Sequence, residues 1–239
     1  MSVLKANLAQ IHRSLEEACR RSGRDVHSIR LIAVTKQVPV EKIREAAAVG
    51  LRLFGENYVQ EGSRKIEALN DLSLEWHFIG HLQTNKVKAA LQKFDWIQTV
   101  DRLSLARELD KRGGALGKRV PVLLQVHLGD EETKGGVAPD DLESLFKSVQ
   151  IMEWLDVRGL MAVPPYFEDP EAVRPFFRSL RQWLERLRQQ ALHPERLTEL
   201  SMGMSHDFHV AVEEGATLIR VGTALFGPRP SKPSASLSP

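Results

Sequence analysis

Short apolar runs alternate along this chain with longer amphipathic stretches. The runs at 31–36, 53–56, 76–80, 96–100, 120–127, 155–163, 200–204 and 218–222 have strand length and enough apolar residues to lie buried. Between them helices are predicted near 40–49, 58–69, 84–92, 103–112, 139–149, 170–190 and 206–214. A further helix precedes the series. Leu4, Leu8, Ile11, Leu15 and Ala18 recur at steps of four and three, Ser2 can cap the start, and Gly23 lies just past the end. The segment 170–190 has the fullest helical signature, with Asp169 as cap, Pro170 at the first position, and Val173, Phe177, Leu180, Trp183, Leu184 and Leu187 on one side. Pro175 should kink or break its first turns.

Eight strand-helix units predict an α/β fold, a single (β/α)8 barrel with an extra N-terminal helix. The alternative is an open doubly wound sheet. Such a sheet, if it bound a dinucleotide, would carry G-x-G-x-x-G after its first strand, where this chain has Lys36-Gln-Val-Pro39. The barrel is therefore preferred. One domain is expected over 1–227. The segment 228–239 is Pro, Ser, Lys and Ala with one leucine, Leu237, and is expected to be disordered.

Composition narrows the class of protein. With 42% hydrophobic and 27% charged residues the 239-residue chain is of ordinary globular type, and a net charge of +2 gives no reason to invoke nucleic acid. A single cysteine, Cys19, cannot form an internal disulfide, and no apolar run reaches the ~18 residues of a membrane span. Neither does the N-terminus have the apolar core of a signal peptide. A cytoplasmic location is expected.

The candidate chemistry lies where strands end. Leu31-Ile-Ala-Val-Thr-Lys36 closes on a lysine. Burial there would draw the amine down from about 10.4 toward nucleophilic range, whereas a lysine that snorkels into water would merely cap the strand. Ser201-Met-Gly-Met-Ser205 and Arg220-Val-Gly-Thr-Ala224 follow the seventh and eighth strands, the positions where such barrels hold phosphate. A helix opening after the first of these loops would add unpaired N–H groups. In a closed barrel strand one lies beside strand eight, so an amine and an anion cradle meet. That pairing fits pyridoxal 5'-phosphate, whose aldehyde joins a lysine. Arg220 can then reach the heterocycle's nitrogen or, alternatively, form a salt bridge at the barrel rim.

Other patterns carry less. His77 with His81, and His206 with His209, lack a carboxylate or cysteine at zinc spacing. The segments 80–86 and 129–134 lack the glycine before the lysine of a P-loop. The stretch Asp130-Glu-Glu-Thr-Lys134-Gly-Gly136 is expected to be a mobile loop over the barrel mouth, and Arg174, Arg178, Arg181 and Arg188 a solvated helix face.

Six fragments in order resemble the pyridoxal phosphate homeostasis proteins, single-domain relatives of the alanine racemase N-terminal barrel. They are Ala33-Val-Thr-Lys36, Phe54-Gly-Glu-Asn57-Tyr-Val-Gln-Glu61, Trp76-His-Phe-Ile-Gly-His-Leu-Gln-Thr-Asn-Lys86, Gly159-Leu-Met-Ala162, Ser201-Met-Gly-Met-Ser205 and Arg220-Val-Gly-Thr-Ala-Leu-Phe-Gly227. The resemblance implies a fold-type III barrel in which Lys36 carries pyridoxal 5'-phosphate as an internal imine. It implies that Ser201, Gly222 and Thr223 hold the phosphate, that Arg220 faces the pyridine nitrogen, and that Asn57 lies near the ring, with His77, Met202, Met204 and Ser205 as further lining. His127 stands where relatives usually have asparagine, and the tail after Gly227 is longer than in relatives.

An arginine cannot take the proton that an aspartate would keep on the pyridine nitrogen, so the ring's electron sink is weakened. The racemases' second domain, with its acid-base tyrosine, is expected to have no counterpart here, and Tyr58 and Tyr166 are not obvious substitutes. The expected function is therefore a cofactor carrier in vitamin B6 homeostasis with little or no turnover. It would be a monomer, with apo-enzymes as possible recipients and neither nucleic acid nor membrane as partner. A weak amino-acid racemase and a cofactor-free scaffold are the alternatives.

Overall fold

The computed structural model describes residues 2–129 and 135–228. Among these, eight parallel strands close a barrel in the order β1 to β8. They are β1 (Arg30–Val34), β2 (Leu53–Glu56), β3 (Glu75–Phe78), β4 (Trp96–Val100), β5 (Val120–Val126), β6 (Leu155–Ala162), β7 (Glu199–Met204) and β8 (Leu218–Val221). The helices are α1 (Val3–Ser22), α2 (Val40–Ala48), α3 (Val59–Ala68), α4 (Val87–Leu91), α5 (Leu103–Leu116), α6 (Pro139–Val149), α7 (Arg174–Gln190), α8 (Phe208–Glu213) and α9 (Thr223–Phe226). The predicted barrel and its extra first helix are present. No described helix is long and apolar enough to cross a membrane.

Strand alternation sorts side chains into two shells. Ile32, Leu53, Leu123, Met161 and Leu218 fill the barrel interior, while Ala33, Phe54, Phe78, Val122 and Ile219 join the layer between strands and helices. Closure is direct. Ile32 and Ala33 of β1 register with Arg220 and Val221 of β8.

Several expected boundaries shift. β1 stops at Val34, two residues before Lys36. The helix predicted over 84–92 is a 3-10 turn, Thr84–Lys86, followed by the short α4. α5 continues past Arg112 to Leu116, because Gly113 and Gly114 let Trp154 close against it. Pro175 acts as predicted: a 3-10 turn, Pro170–Val173, precedes α7, and the proline falls in that helix's first turn. The arginines of α7 lie on a solvent-facing side, as expected, and are ion-paired there as well. Arg174, Arg178 and Arg181 converge on Glu214 at 3.2, 3.0 and 3.4 Å, and Arg188 donates to the Leu197 carbonyl. Residues 130–134 of the expected mouth loop and 229–239 of the tail lie outside the described residues.

α1 covers α8 and α9, and Asn7 Nδ2 donates to the Leu225 carbonyl at 3.0 Å. The helix outside the eightfold alternation thus supports the turn that follows β8.

Candidate functional site

The chain beyond β1 turns sharply, with Val38 N donating to Thr35 O at 2.8 Å and Gln37 at φ 62°. Lys36 sits in this turn, half-buried, between the sealed and the water-facing alternatives left open by the sequence. A buried polar group clamps the turn from behind. Lys65 Nζ donates to Thr35 O, Glu56 Oε1 and Glu61 Oε1 at 2.6, 2.7 and 2.6 Å. Thr35 Oγ1 donates to Glu56 Oε1, and Gln37 N to Glu61 Oε1, both at 2.6 Å. Burial pushes the Glu56 carboxyl up, against the opposing bonds from Lys65 and Thr35.

Asn57 follows β2. A Cβ at Gly80 would lie 2.0 Å from the Asn57 carbonyl oxygen, so glycine there lets the two strand ends approach. The Asn57 Oδ1 atom is buried without a hydrogen-bond partner. A buried acceptor left in this state costs free energy unless something donates to it.

The third part comes from the ends of β7 and β8. Gly222 N and Ala224 N both donate to Ser205 Oγ at 3.2 Å, so two amides at the start of α9 point at one oxygen. Gly203 has φ 89°, and a Cβ there would come within 2.6 Å of Ala211 Cβ; its absence lets α8 pack close. The expected anion site at the start of the helix after β7 is corrected. α8 begins at Phe208, preceded by the buried carboxylate of Asp207, which accepts from Met204 N at 2.6 Å and repels an anion.

Arg220 is almost wholly buried. Its Nη1 donates to Ser201 Oγ and its Nη2 to Ala162 O, each at 2.7 Å, with no ion pair to any described residue. The rim salt bridge left open by the sequence is not formed. Burial pushes the guanidinium down to about 10, with the charge of Asp207 opposing.

These parts meet. Lys36, Asn57, Met204, Ser205, Arg220, Gly222 and Thr223 line one cleft of about 310 Å³ at the C-terminal mouth of the barrel. The other expected lining residues lie elsewhere, two because they sit too deep and one because alternation turns it outward. Ser201 and His77 face the barrel interior a layer deeper, and Met202 is buried in the apolar layer beneath the helices. Ser201 Oγ is engaged by Arg220 and Gln98, whereas Ser205, with two amides at its oxygen, lines the cleft. His127, half-buried past β5, is not among the lining residues. Val34, Ile79, Val163, Tyr166 and His206 also line the cleft and were not expected. Tyr166 is exposed, with its ring 5.2 Å from that of His206. Among the described residues there is no group of three or more His, Cys, Asp or Glu side chains able to hold a metal ion.

Chemically, the cleft offers an amine, a fixed cation, a buried amide acceptor and two convergent N–H groups. It fits a small planar aldehyde that carries an anionic ester. Its size lies near the lower end of the ~300–1,000 Å³ usual for small-molecule sites.

Comparison with known proteins gives the same direction. Residues 6–230 match the family described as alanine racemase, N-terminal domain. The pyridoxal phosphate homeostasis protein of Aquifex aeolicus is 49% identical over 222 residues, 93% of this chain and 96% of that protein. That of Pasteurella multocida is 40% identical over 228 residues, 95% and 97% of the two. The structure of PipY from Synechococcus elongatus with PLP bound is 42% identical, with a TM-score of 0.79, covering 90% of this chain and all of that one.

Proposed function

This chain belongs to the alanine racemase N-terminal domain family, with pyridoxal phosphate homeostasis proteins as near full-length relatives, and from that premise we propose that it binds pyridoxal 5'-phosphate and acts in its homeostasis. The observation that carries the proposal is the convergence of Lys36, Arg220, Ser205, Gly222 and Thr223 on one cleft, with Ser205 Oγ accepting from the Gly222 and Ala224 amides. The cofactor supplies an electrophilic aldehyde and an electron-accepting ring. Lys36 would hold the cofactor through that aldehyde, Gly222, Thr223 and Ser205 would hold its phosphate, Asn57 and Met204 would border the ring, and Arg220 would donate to the pyridine nitrogen.

The carrier role follows from Arg220. Its guanidinium has no acceptor for an N–H on the ring nitrogen, so it favours the unprotonated ring, a poorer sink for electrons than the pyridinium that a carboxylate would hold. The protein is read as a cytoplasmic monomer that holds and releases the cofactor with little turnover, apo-enzymes being possible recipients. Borohydride reduction followed by peptide mass mapping tests the assignment. Reduced pyridoxyl phosphate is expected on Lys36, and its absence after refolding with excess cofactor would overturn the reading.

One observation favours a second reading. Tyr166 and His206 at the cleft edge are candidate acid-base groups for a weak amino-acid racemase. Loss of optical rotation from L-alanine or L-serine at stoichiometric protein would support it, and an unchanged rotation would leave the carrier.

A further inference from the structure

Arg220 is one end of a chain of side-chain hydrogen bonds that crosses the barrel interior from the cleft to the opposite mouth. Its Nη1 donates to Ser201 Oγ at 2.7 Å, and Ser201 Oγ donates to Gln98 Oε1 at 2.6 Å. Gln98 Nε2 pairs with His77 Nδ1 at 2.5 Å, and His77 Nε2 with Glu75 Oε1 at 2.9 Å. Ser201, Gln98 and His77 are buried, whereas Glu75, at the start of β3, has a side chain 41% exposed. Trp96 stacks on the imidazole at 5.1 Å and 11°, which fixes the plane of the ring.

The two ends dictate the sense of every link. A guanidinium has only donors and a carboxylate only acceptors. Ser201 must therefore accept from Arg220, and its single proton is free for Gln98. At the far end His77 must present N–H to Glu75, so the neutral ring carries its proton on Nε2 and accepts at Nδ1. Were the Gln98 amide reversed, its carbonyl would need a proton on Nδ1, and His77 would have to become a cation to keep Glu75. Burial, reinforced by Arg30, holds the imidazole below its ordinary value, against the raising pull of Glu75 and Asp95.

We propose that Gln98, His77 and Glu75 are positioning residues for Arg220, acting through Ser201 to fix the direction in which its remaining N–H groups face the cleft. This rests on the reading of Arg220 as the donor to the cofactor's ring nitrogen. Nη1 is anchored by Ser201 and Nη2 by the Ala162 carbonyl. Because the guanidinium is planar, two anchored nitrogens set the plane of the whole group.

Nitrogen-15 NMR of histidine-labelled, cofactor-free protein reads the tautomer of His77. Titration with pyridoxal 5'-phosphate, followed by absorbance, reads affinity and the band of the bound cofactor. His77 is expected to be protonated on Nε2 in the wild type and in Glu75→Gln, which keeps an acceptor and should bind like the wild type. Gln98→Met and Glu75→Leu are expected to weaken binding about three- to tenfold, the effect of one lost hydrogen bond, and to shift the band. Should Gln98→Met fail to fold, the half-exposed Glu75→Leu carries the test. Wild-type affinity with an unshifted band in the folded variants, or a wild-type His77 protonated on Nδ1, would overturn the proposal. Wild-type protein that takes up no cofactor while His77 is protonated on Nε2 would overturn the function proposed above, and the role of the chain with it, but not the chain itself.

Discussion

Two buried cations, Lys65 behind the turn that carries Lys36 and Arg220 in the lining of the cleft, are treated in opposite ways. Lys65 has three N–H donors and three acceptors, two of them carboxylates. Arg220 has five donors, is bonded to only a hydroxyl and a backbone carbonyl, and has no ion pair to a described residue. A buried charge without a counter-charge costs far more than one within a network. The difference separates the roles. Lys65 is a fastener whose capacity is used within the fold, whereas Arg220 keeps donors that no described residue takes up, which on the proposed reading serve the cofactor.

The contrast is broken most strongly at Lys65. Lys65→Met leaves Glu56 buried and short of its partner, and is expected to lower unfolding free energy by about 3–5 kcal/mol in urea titration. The same change at position 220 should do less to the cofactor-free protein. Arg220→Met removes a lone buried charge while orphaning two acceptors, so a net change within about 2 kcal/mol is expected, in either direction. Its affinity for pyridoxal 5'-phosphate, measured by absorbance titration, should fall about 10- to 100-fold, as for a hydrogen bond from a charged donor.

A pH series sharpens the Lys65 side. Burial raises the Glu56 carboxyl above its ordinary 4.5, so its contribution to stability is complete below that value and is lost as pH rises through the folded value. Glu61, held down by its bond from Lys65 against the raising effect of its own burial, contributes with the opposite sign. Glu56→Gln should therefore flatten the loss of stability across the weakly acidic range, read by urea unfolding at successive pH values. The smallest effect is expected at Lys36. Because it sits half-buried in a turn, Lys36→Ala should alter the stability of the cofactor-free protein by no more than about 0.5 kcal/mol, while abolishing the borohydride-trapped adduct.

The barrel was legible because eight apolar runs separated by helical stretches leave few ways to bury both sheet faces. The closure of β1 on β8 then put Lys36 and Arg220 on one side of the molecule. Direction was harder to read. Ser201, Met202 and Met204 are near neighbours in sequence, yet one points into the barrel, one outward to the helices and one to the cleft. A register shift between Ser201 and Met204 in the pairing of β7 with β8 displaces the simple alternation, and no sequence signal marks it. The hydrogen bonds from Arg220 to Glu75 were hidden for another reason. They join strands far apart in sequence, and a single glutamine or histidine within an apolar run gives no hint of which polar group it will meet across the interior.

The bond from Asn7 to the Leu225 carbonyl joins positions 218 residues apart. It ties α1 to the turn between β8 and Gly227. On a ribosome α1 emerges long before β8, so the seam between β1 and β8 and the Gly222–Ala224 turn assemble only once β8 and α9 have left the exit tunnel. A nascent chain short of that point would have its Lys36 amine but not the turn that, on the proposed reading, anchors the vitamin's ester.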